Sequence, residues 1–134
     1  MPNIGANIGI DIVSIPRIAR LYSHFGSRFL QRILNESEIA LLDSNSSNNS
    51  VQIRRLAGFY AAKEAASKAL KTGIGSRLSF KDLEISKNNK NNKSPEIALK
   101  EHKIADLPYN FELSITHDGD FAVAVVLAFN RYKL

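Results

Sequence analysis

From Val51 to Lys71 the chain runs for some twenty residues without a proline, built largely from Ala, Lys, Glu and Leu. That composition predicts one long α-helix, stopped by Gly73 and loosened into a turn by Gly75. Its residues divide by face. Tyr60, Glu64, Lys68 and Lys71 follow one another at i, i+4, i+8 and roughly i+11 and so share a side. Phe59, Ala62, Ala66 and Leu70 lie opposite. Ala61, Ala62, Ala65, Ala66 and Ala69 are small enough for a strand or another backbone to approach closely. Whatever else the chain forms has to pack around this helix.

Ahead of it, Ile8 to Val13 reads as a short apolar strand interrupted by Asp11. A carboxylate there needs a partner or a place at the strand's end. Ser14 then suits an N-cap and Pro16 an early helical turn. A helix from about Ile15 brings Ile18, Leu21, Tyr22 and Phe25 to one face and leaves Arg17 and Arg20 at its edge. Asn35 followed by Glu38 has the spacing of a capping box, starting a short helix that carries Ile39, Leu41 and Leu42. Two polar, low-complexity stretches, about 43–50 and 87–95, are expected as surface loops, the second the tip of a hairpin. Short strands are expected at 83–86 and 97–99, and longer ones at 112–117 and 121–128, joined through an Asp118-Gly119 turn. Strand, helices, then strands: the order predicts a single α+β domain over 1–134, a long helix packed against a mainly antiparallel sheet. No internal repeat is evident.

The absence of cysteine removes disulfides, thiolate chemistry and cysteine-based metal sites, and fits a reducing compartment. No apolar run reaches the 18 or so residues that span a bilayer, and the first residues carry neither a basic segment nor a cleavage pattern. No membrane association is expected, and the cytoplasm is the expected location. Eighteen Lys and Arg against thirteen Asp and Glu give +5, which attracts anions: a nucleic acid, a polyphosphate or an acidic protein. A small basic nucleic-acid-binding module is the alternative this charge allows. Against it, the basic residues are dispersed and no RNA-recognition or zinc-finger pattern appears.

Taken alone, the polar residues leave their roles open. Glu64 and Lys68 fit a solvent-facing ion pair one turn apart, and Asp11 fits a cap beside Ser14. His117 closes the strand beginning at Leu113, either bonded to a backbone carbonyl or aimed into a site. His24 and His102 receive no role, and the three histidines do not have zinc-ligand spacing.

Five blocks change the picture when read together: Gly9-Ile10-Asp11-Ile12-Val13, Gly58 to Lys68, Gly73-Ile74-Gly75, Leu78 to Glu84, and Ser114-Ile115-Thr116-His117. In this order, over nearly the whole chain, the sequence resembles the holo-[acyl-carrier-protein] synthase family, the small single-domain branch of the 4′-phosphopantetheinyl transferases. The resemblance implies that fold and a transferase of fatty-acid and lipid biosynthesis. It implies transfer of the phosphopantetheine arm of coenzyme A to a serine of apo acyl carrier protein, with adenosine 3′,5′-bisphosphate released. It implies that Asp11 and Glu64 bind Mg²⁺ with the CoA diphosphate, that Lys68 contacts phosphate, and that His117 lies in the CoA pocket. These four are the candidate catalytic residues. It further implies a homotrimer with sites at subunit boundaries, so that His117 comes from a neighbouring chain. Arg17, Arg20 and Arg28 are the positions implied to dock the acidic carrier.

The chemistry suits those residue types. Phosphoryl transfer requires charge neutralised on non-bridging oxygens, and a hard cation held by carboxylates and phosphate does that. Mg²⁺ keeps several waters, so two protein carboxylates suffice. Lys68, one turn past Glu64, can offset charge on the leaving diphosphate. The serine proton needs an acceptor; with both carboxylates committed to the cation, a water on the metal is favoured over a carboxylate. The turn at Gly73 and Gly75 can bring backbone amides to the nucleotide. One departure stands out: Phe59 occupies a position where many relatives carry Arg, and offers no phosphate contact.

Overall fold

The computed structural model describes residues 5–43, 49–87 and 94–131. Most of the two polar stretches expected at 43–50 and 87–95 lies outside the described residues. Their flanks are described: Asp43 ends a helix, Asn49 and Ser50 begin the long one, Lys87 ends a strand and Pro95 begins another.

Strand β1 (Ala6–Ser14) leads into α1 (Ile15–Phe25), α2 (Ser27–Ile33), α3 (Glu36–Asp43) and the long α4 (Asn49–Ala69). A 3₁₀ turn, Phe80–Asp82, precedes β2 (Leu83–Lys87) and β3 (Pro95–Leu99). A single-turn α5 (Glu101–Ile104) then leads to β4 (Tyr109–Asp118) and β5 (Phe121–Asn130). The strands form two antiparallel sheets, one ordered β1-β5-β4 and the other the β2-β3 hairpin. The expected α+β arrangement of a long helix on an antiparallel sheet is what the chain forms. None of the described helices is long and apolar enough to cross a membrane.

Helix α4 is the centre. From Leu56 to Ala69 nearly every residue is buried, including Ala61, Ala62, Ala65, Ala66 and Ala69. Only the row through Tyr60, Glu64 and Lys68 reaches the surface. A helix buried on nearly all sides has no reason to be amphipathic, which is why composition marks it better than periodicity does. The small residues admit β1 as expected: a Cβ on Gly9 would sit 2.0 Å from the Ala65 carbonyl oxygen and 2.6 Å from the Ala69 nitrogen. No side chain but hydrogen fits there.

This close approach fixes the strand's facing. Gly9, Asp11 and Val13 turn towards α4, while Ile8, Ile10 and Ile12 point away and stay 60–64% exposed. Helix α1 starts as expected, with Ser14 Oγ accepting from the Arg17 amide at 3.2 Å. Ile18 is fully buried, but Tyr22 and Phe25 are largely exposed. Gly26, at φ +60, breaks the chain into α2, an element the sequence did not signal. The β4–β5 turn differs by one residue from expectation. Asp118 pairs with Phe121, so the loop is Gly119-Asp120 rather than Asp118-Gly119. Gly119 has φ +56, placing glycine at the first central position as a type II′ turn requires.

Candidate active site

Two elements bring the candidate acids together. Asp11, on the inner face of β1, looks onto α4, where the ammonium of Lys68 donates to its Oδ1 at 3.0 Å and to the Ile10 carbonyl at 3.1 Å. Glu64, one turn earlier on the same side of α4, is half-buried. Burial, and next the charge of Asp11, pushes its carboxyl above the ordinary value, with Lys68 and Arg17 pulling the other way. Two carboxylates that repel each other across a strand–helix contact, each with a cation nearby, form a compact charged cluster.

Tyr60 extends the cluster by one more turn. Burial and the charge of Glu64 push its phenol above the ordinary value, and the nearby Arg17 guanidinium opposes them. The ring lies 5.3 Å from that of Phe80 and 6.4 Å from that of Phe29. Tyr60 was visible in the sequence as sharing a face with Glu64 and Lys68, but its pairing with Arg17 was not. On its other side the ring walls a cavity of about 380 Å³ formed by Leu21, Phe25, Phe29 and Phe80, with Arg28 and Arg32 among the lining residues. Arg17, Arg20 and Arg28 are all exposed.

The remaining candidates lie elsewhere. His117 Nε2 is 2.9 Å from the Arg54 carbonyl oxygen, and the ring covers Gly58. Arg54 precedes Glu64 by ten residues on α4, roughly 15 Å along the axis at 1.5 Å per residue. Within one chain, His117 therefore stands apart from the carboxylates, beside a cavity of about 210 Å³ shared with Val51, Arg54 and Arg55. Past the helix end, the Gly73 amide donates to the Ser67 carbonyl at 3.2 Å and the Gly75 amide to that of Leu78 at 2.8 Å. Both amides are thus engaged within the chain. Phe59 is buried in the core.

A polar feature that the sequence hid lies behind the cluster. Lys63 and Glu38 are both fully buried and 2.8 Å apart. Lys63 also donates to the Ile33 carbonyl at 2.8 Å. Glu38 accepts from the Asn35 amide, the Asn35 side chain and, through its second oxygen, the Ile85 amide. Of the capping box read at Asn35 and Glu38 only one half forms: the Glu38 carboxylate takes the Asn35 amide, but the Glu38 amide goes to the Asn35 backbone carbonyl rather than to its side chain, and the carboxylate also anchors α4 and β2. Burial lowers the Lys63 ammonium, and Glu38 opposes that.

A metal would find two carboxylates here, not a complete cage. Among the described residues no group of three or more His, Cys, Asp or Glu is placed to hold an ion. Two carboxylates with room for further oxygens fit Mg²⁺ bound jointly with phosphate better than they fit a cation held by protein alone.

Residues 7–126 match the family described as "4′-phosphopantetheinyl transferase superfamily". A holo-[acyl-carrier-protein] synthase of Nautilia profundicola is 51% identical over 120 residues, 90% of this chain and 96% of that one. Among solved structures, the Helicobacter pylori holo-[acyl-carrier-protein] synthase in complex with coenzyme A is 45% identical with a TM-score of 0.78, over 90% of this chain and 98% of that one. The Bacillus anthracis enzyme, in complex with CoA (3′,5′-ADP), is 34% identical with the same TM-score of 0.78, over 92% and 96%. The chain belongs to the holo-[acyl-carrier-protein] synthase family of phosphopantetheinyl transferases.

Proposed function

We propose that this enzyme moves the 4′-phosphopantetheine group of coenzyme A to a serine of apo acyl carrier protein, using Mg²⁺ held by Asp11 and Glu64. The observation that carries the reading is the meeting of Asp11 on β1 with Glu64 and Lys68 on α4, Asp11 and Lys68 being 57 positions apart in the chain. Family membership and relatives solved with CoA support the substrate.

In the reaction the serine oxygen, giving its proton to a water, bonds to the phosphorus on the pantetheine side of the diphosphate. The bond from that phosphorus to the bridging oxygen breaks, and adenosine 3′,5′-bisphosphate leaves with the electron pair. Mg²⁺ would supply charge neutralisation on the non-bridging oxygens. Asp11 and Glu64 hold that position, and Lys68 offsets charge on the departing phosphate. Arg17, Arg20 and Arg28 present positive charge to the acidic carrier, and Arg28 lines the largely apolar cavity beside Tyr60.

We also propose a homotrimer. The outward face of β1, with Ile8, Ile10 and Ile12, continues through the register into Leu127, Val125 and Val123 of β5. With Phe121 also largely exposed, this is an apolar face that water covers poorly. Burial against other copies would remove it; that His117 of one copy serves the CoA pocket of the next rests on the family resemblance alone.

The test is incubation with CoA, Mg²⁺ and apo acyl carrier protein, following the carrier by mass. A gain of about 340 Da is expected for the transferred group. Asp11→Ala or Glu64→Ala should abolish it, and wild-type-like turnover in either would overturn the metal assignment. Arg17→Ala should raise the KM for the carrier more than that for CoA. An unchanged KM for the carrier removes the docking role. Sedimentation at a monomer's mass would refute the trimer.

A further inference from the structure

We propose that Lys68 is a built-in counter-ion that occupies the divalent cation's place on Asp11 and so makes cation binding depend on the arrival of the CoA diphosphate. The inference rests on the reading of Asp11 and Glu64 as metal ligands.

The Lys68 ammonium sits 3.0 Å from Asp11 Oδ1 and is steadied by the Ile10 carbonyl at 3.1 Å. The Asp11 side chain is only 16% exposed, so the oxygen that Lys68 covers is a large part of what the carboxylate can offer. Mg²⁺ binds carboxylate oxygen at 2.0–2.1 Å. An ammonium on the same oxygen would stand roughly 4–5 Å from the dication, at which separation like charges repel strongly even near the surface. Cation entry at that oxygen is therefore opposed until Lys68 leaves.

Leaving is mechanically open. The Lys68 side chain is 52% exposed and is a flexible point charge rather than a rigid fork. A lysine displaced by the cation alone stays close to it with no anion to pair. A lysine displaced when diphosphate is present moves from Asp11 onto phosphate. The cation and the diphosphate thus each remove a cost of binding the other, a coupling that is reciprocal by linkage. In the free protein the arrangement also balances charge. Lys68 faces Asp11, and Arg17 and Lys68 offset the burial and repulsion felt by Glu64.

The test titrates Mn²⁺ as a paramagnetic probe into wild type, Lys68→Met, Lys68→Arg and Asp11→Asn, each with and without CoA. Lys68→Met is expected to bind Mn²⁺ alone roughly three- to tenfold more tightly than wild type, as a removed partly exposed ion pair and like-charge neighbour imply. It should bind CoA more weakly, and CoA should tighten its Mn²⁺ binding by a smaller factor than in wild type. Lys68→Arg, retaining the charge, should return the Mn²⁺ affinity towards wild type. Equal or weaker Mn²⁺ binding by Lys68→Met in the absence of CoA overturns the counter-ion role. Asp11→Asn binding Mn²⁺ as tightly as wild type overturns the underlying metal reading instead, so the two failures are distinct.

Discussion

Replacing Lys63 with Met should remove a large part of the folding stability, although Lys63 touches no substrate in the proposed reaction. Its side chain and that of Glu38 are both 0% exposed and 2.8 Å apart. The substitution deletes two charge-assisted hydrogen bonds, to Glu38 Oε1 and to the Ile33 carbonyl. Glu38 keeps its bonds from Asn35 and Ile85 but becomes a buried carboxylate without a cation. Breaking a buried pair from one side typically costs about 3–5 kcal/mol, against a total of about 5–15 kcal/mol for a domain. With a urea dependence of roughly 1.5 kcal/mol per M, the unfolding midpoint should fall by about 2–3 M, measured by circular dichroism because the chain has no Trp. The double variant Glu38→Gln with Lys63→Met removes the stranded charge and should recover at least about 1 kcal/mol. A midpoint for the single variant within about 0.5 M of wild type, or a double variant no better than the single, would refute the reasoning.

Glu64→Gln should abolish transfer yet stabilise the ligand-free fold. Its carboxyl is raised above 4.5 by burial and then by Asp11, so across that window the folded protein holds more protons than the unfolded chain and stability falls as pH rises. At pH 7 the variant should gain from a few tenths to about 1 kcal/mol, allowing for solvent screening of a half-exposed group, and the gain should vanish below the window. Thermal melts of variant and wild type at pH 4 and pH 7 decide it, a variant Tm below that of wild type at pH 7 being the adverse result. Lys71, the one non-glycine with positive φ among the described residues, follows the last turn of α4; Lys71→Gly should relieve up to about 1 kcal/mol of left-handed strain and raise Tm by about 3 °C, whereas a fall would refute that account. Gly9→Ala would drive a Cβ into the Ala65 carbonyl and the Ala69 nitrogen, a backbone clash expected to cost more than about 3 kcal/mol. A Tm within 3 °C of wild type would mean that β1 can yield.

What could be read from the sequence is what local pattern encodes, and what could not is what distant contact decides. The Ser14 cap, the long helix and the β4–β5 hairpin each carry their signal in neighbouring residues, and each is present. The hairpin turn slipped by one position because Gly119 serves the first central place of a II′ turn rather than the second of a I′ turn. Helix α2 is seven residues long and begins at Gly26 with no side-chain cap, so it has neither length nor a start signal to show. Strand β1 shows the same limit in another form: its alternation is plain, but its facing is not. The isoleucines face outward because α4 leaves space on the inner side only for Gly9, Asp11 and Val13.

The block from Ala61 to Ala69 gathers these demands onto one helix. Lys63 points inward to Glu38, 25 positions away. Ala65 and Ala69 stay small so that Gly9 can lie against them. Glu64 and Lys68 emerge where β1 passes, and meet Asp11 there. The close packing and the acidic cluster have one origin. A strand held against the helix backbone by its glycine carries the carboxylate, two residues further on, to within reach of a lysine on that helix. Bulk at Gly9 would part them, and Ala65 and Ala69, fully buried beside it, leave no spare room in the core. The alanines around Glu64 and Lys68 therefore belong to the geometry of the site as much as the charged residues do, and a charge-only reading of this block misses what places the charges.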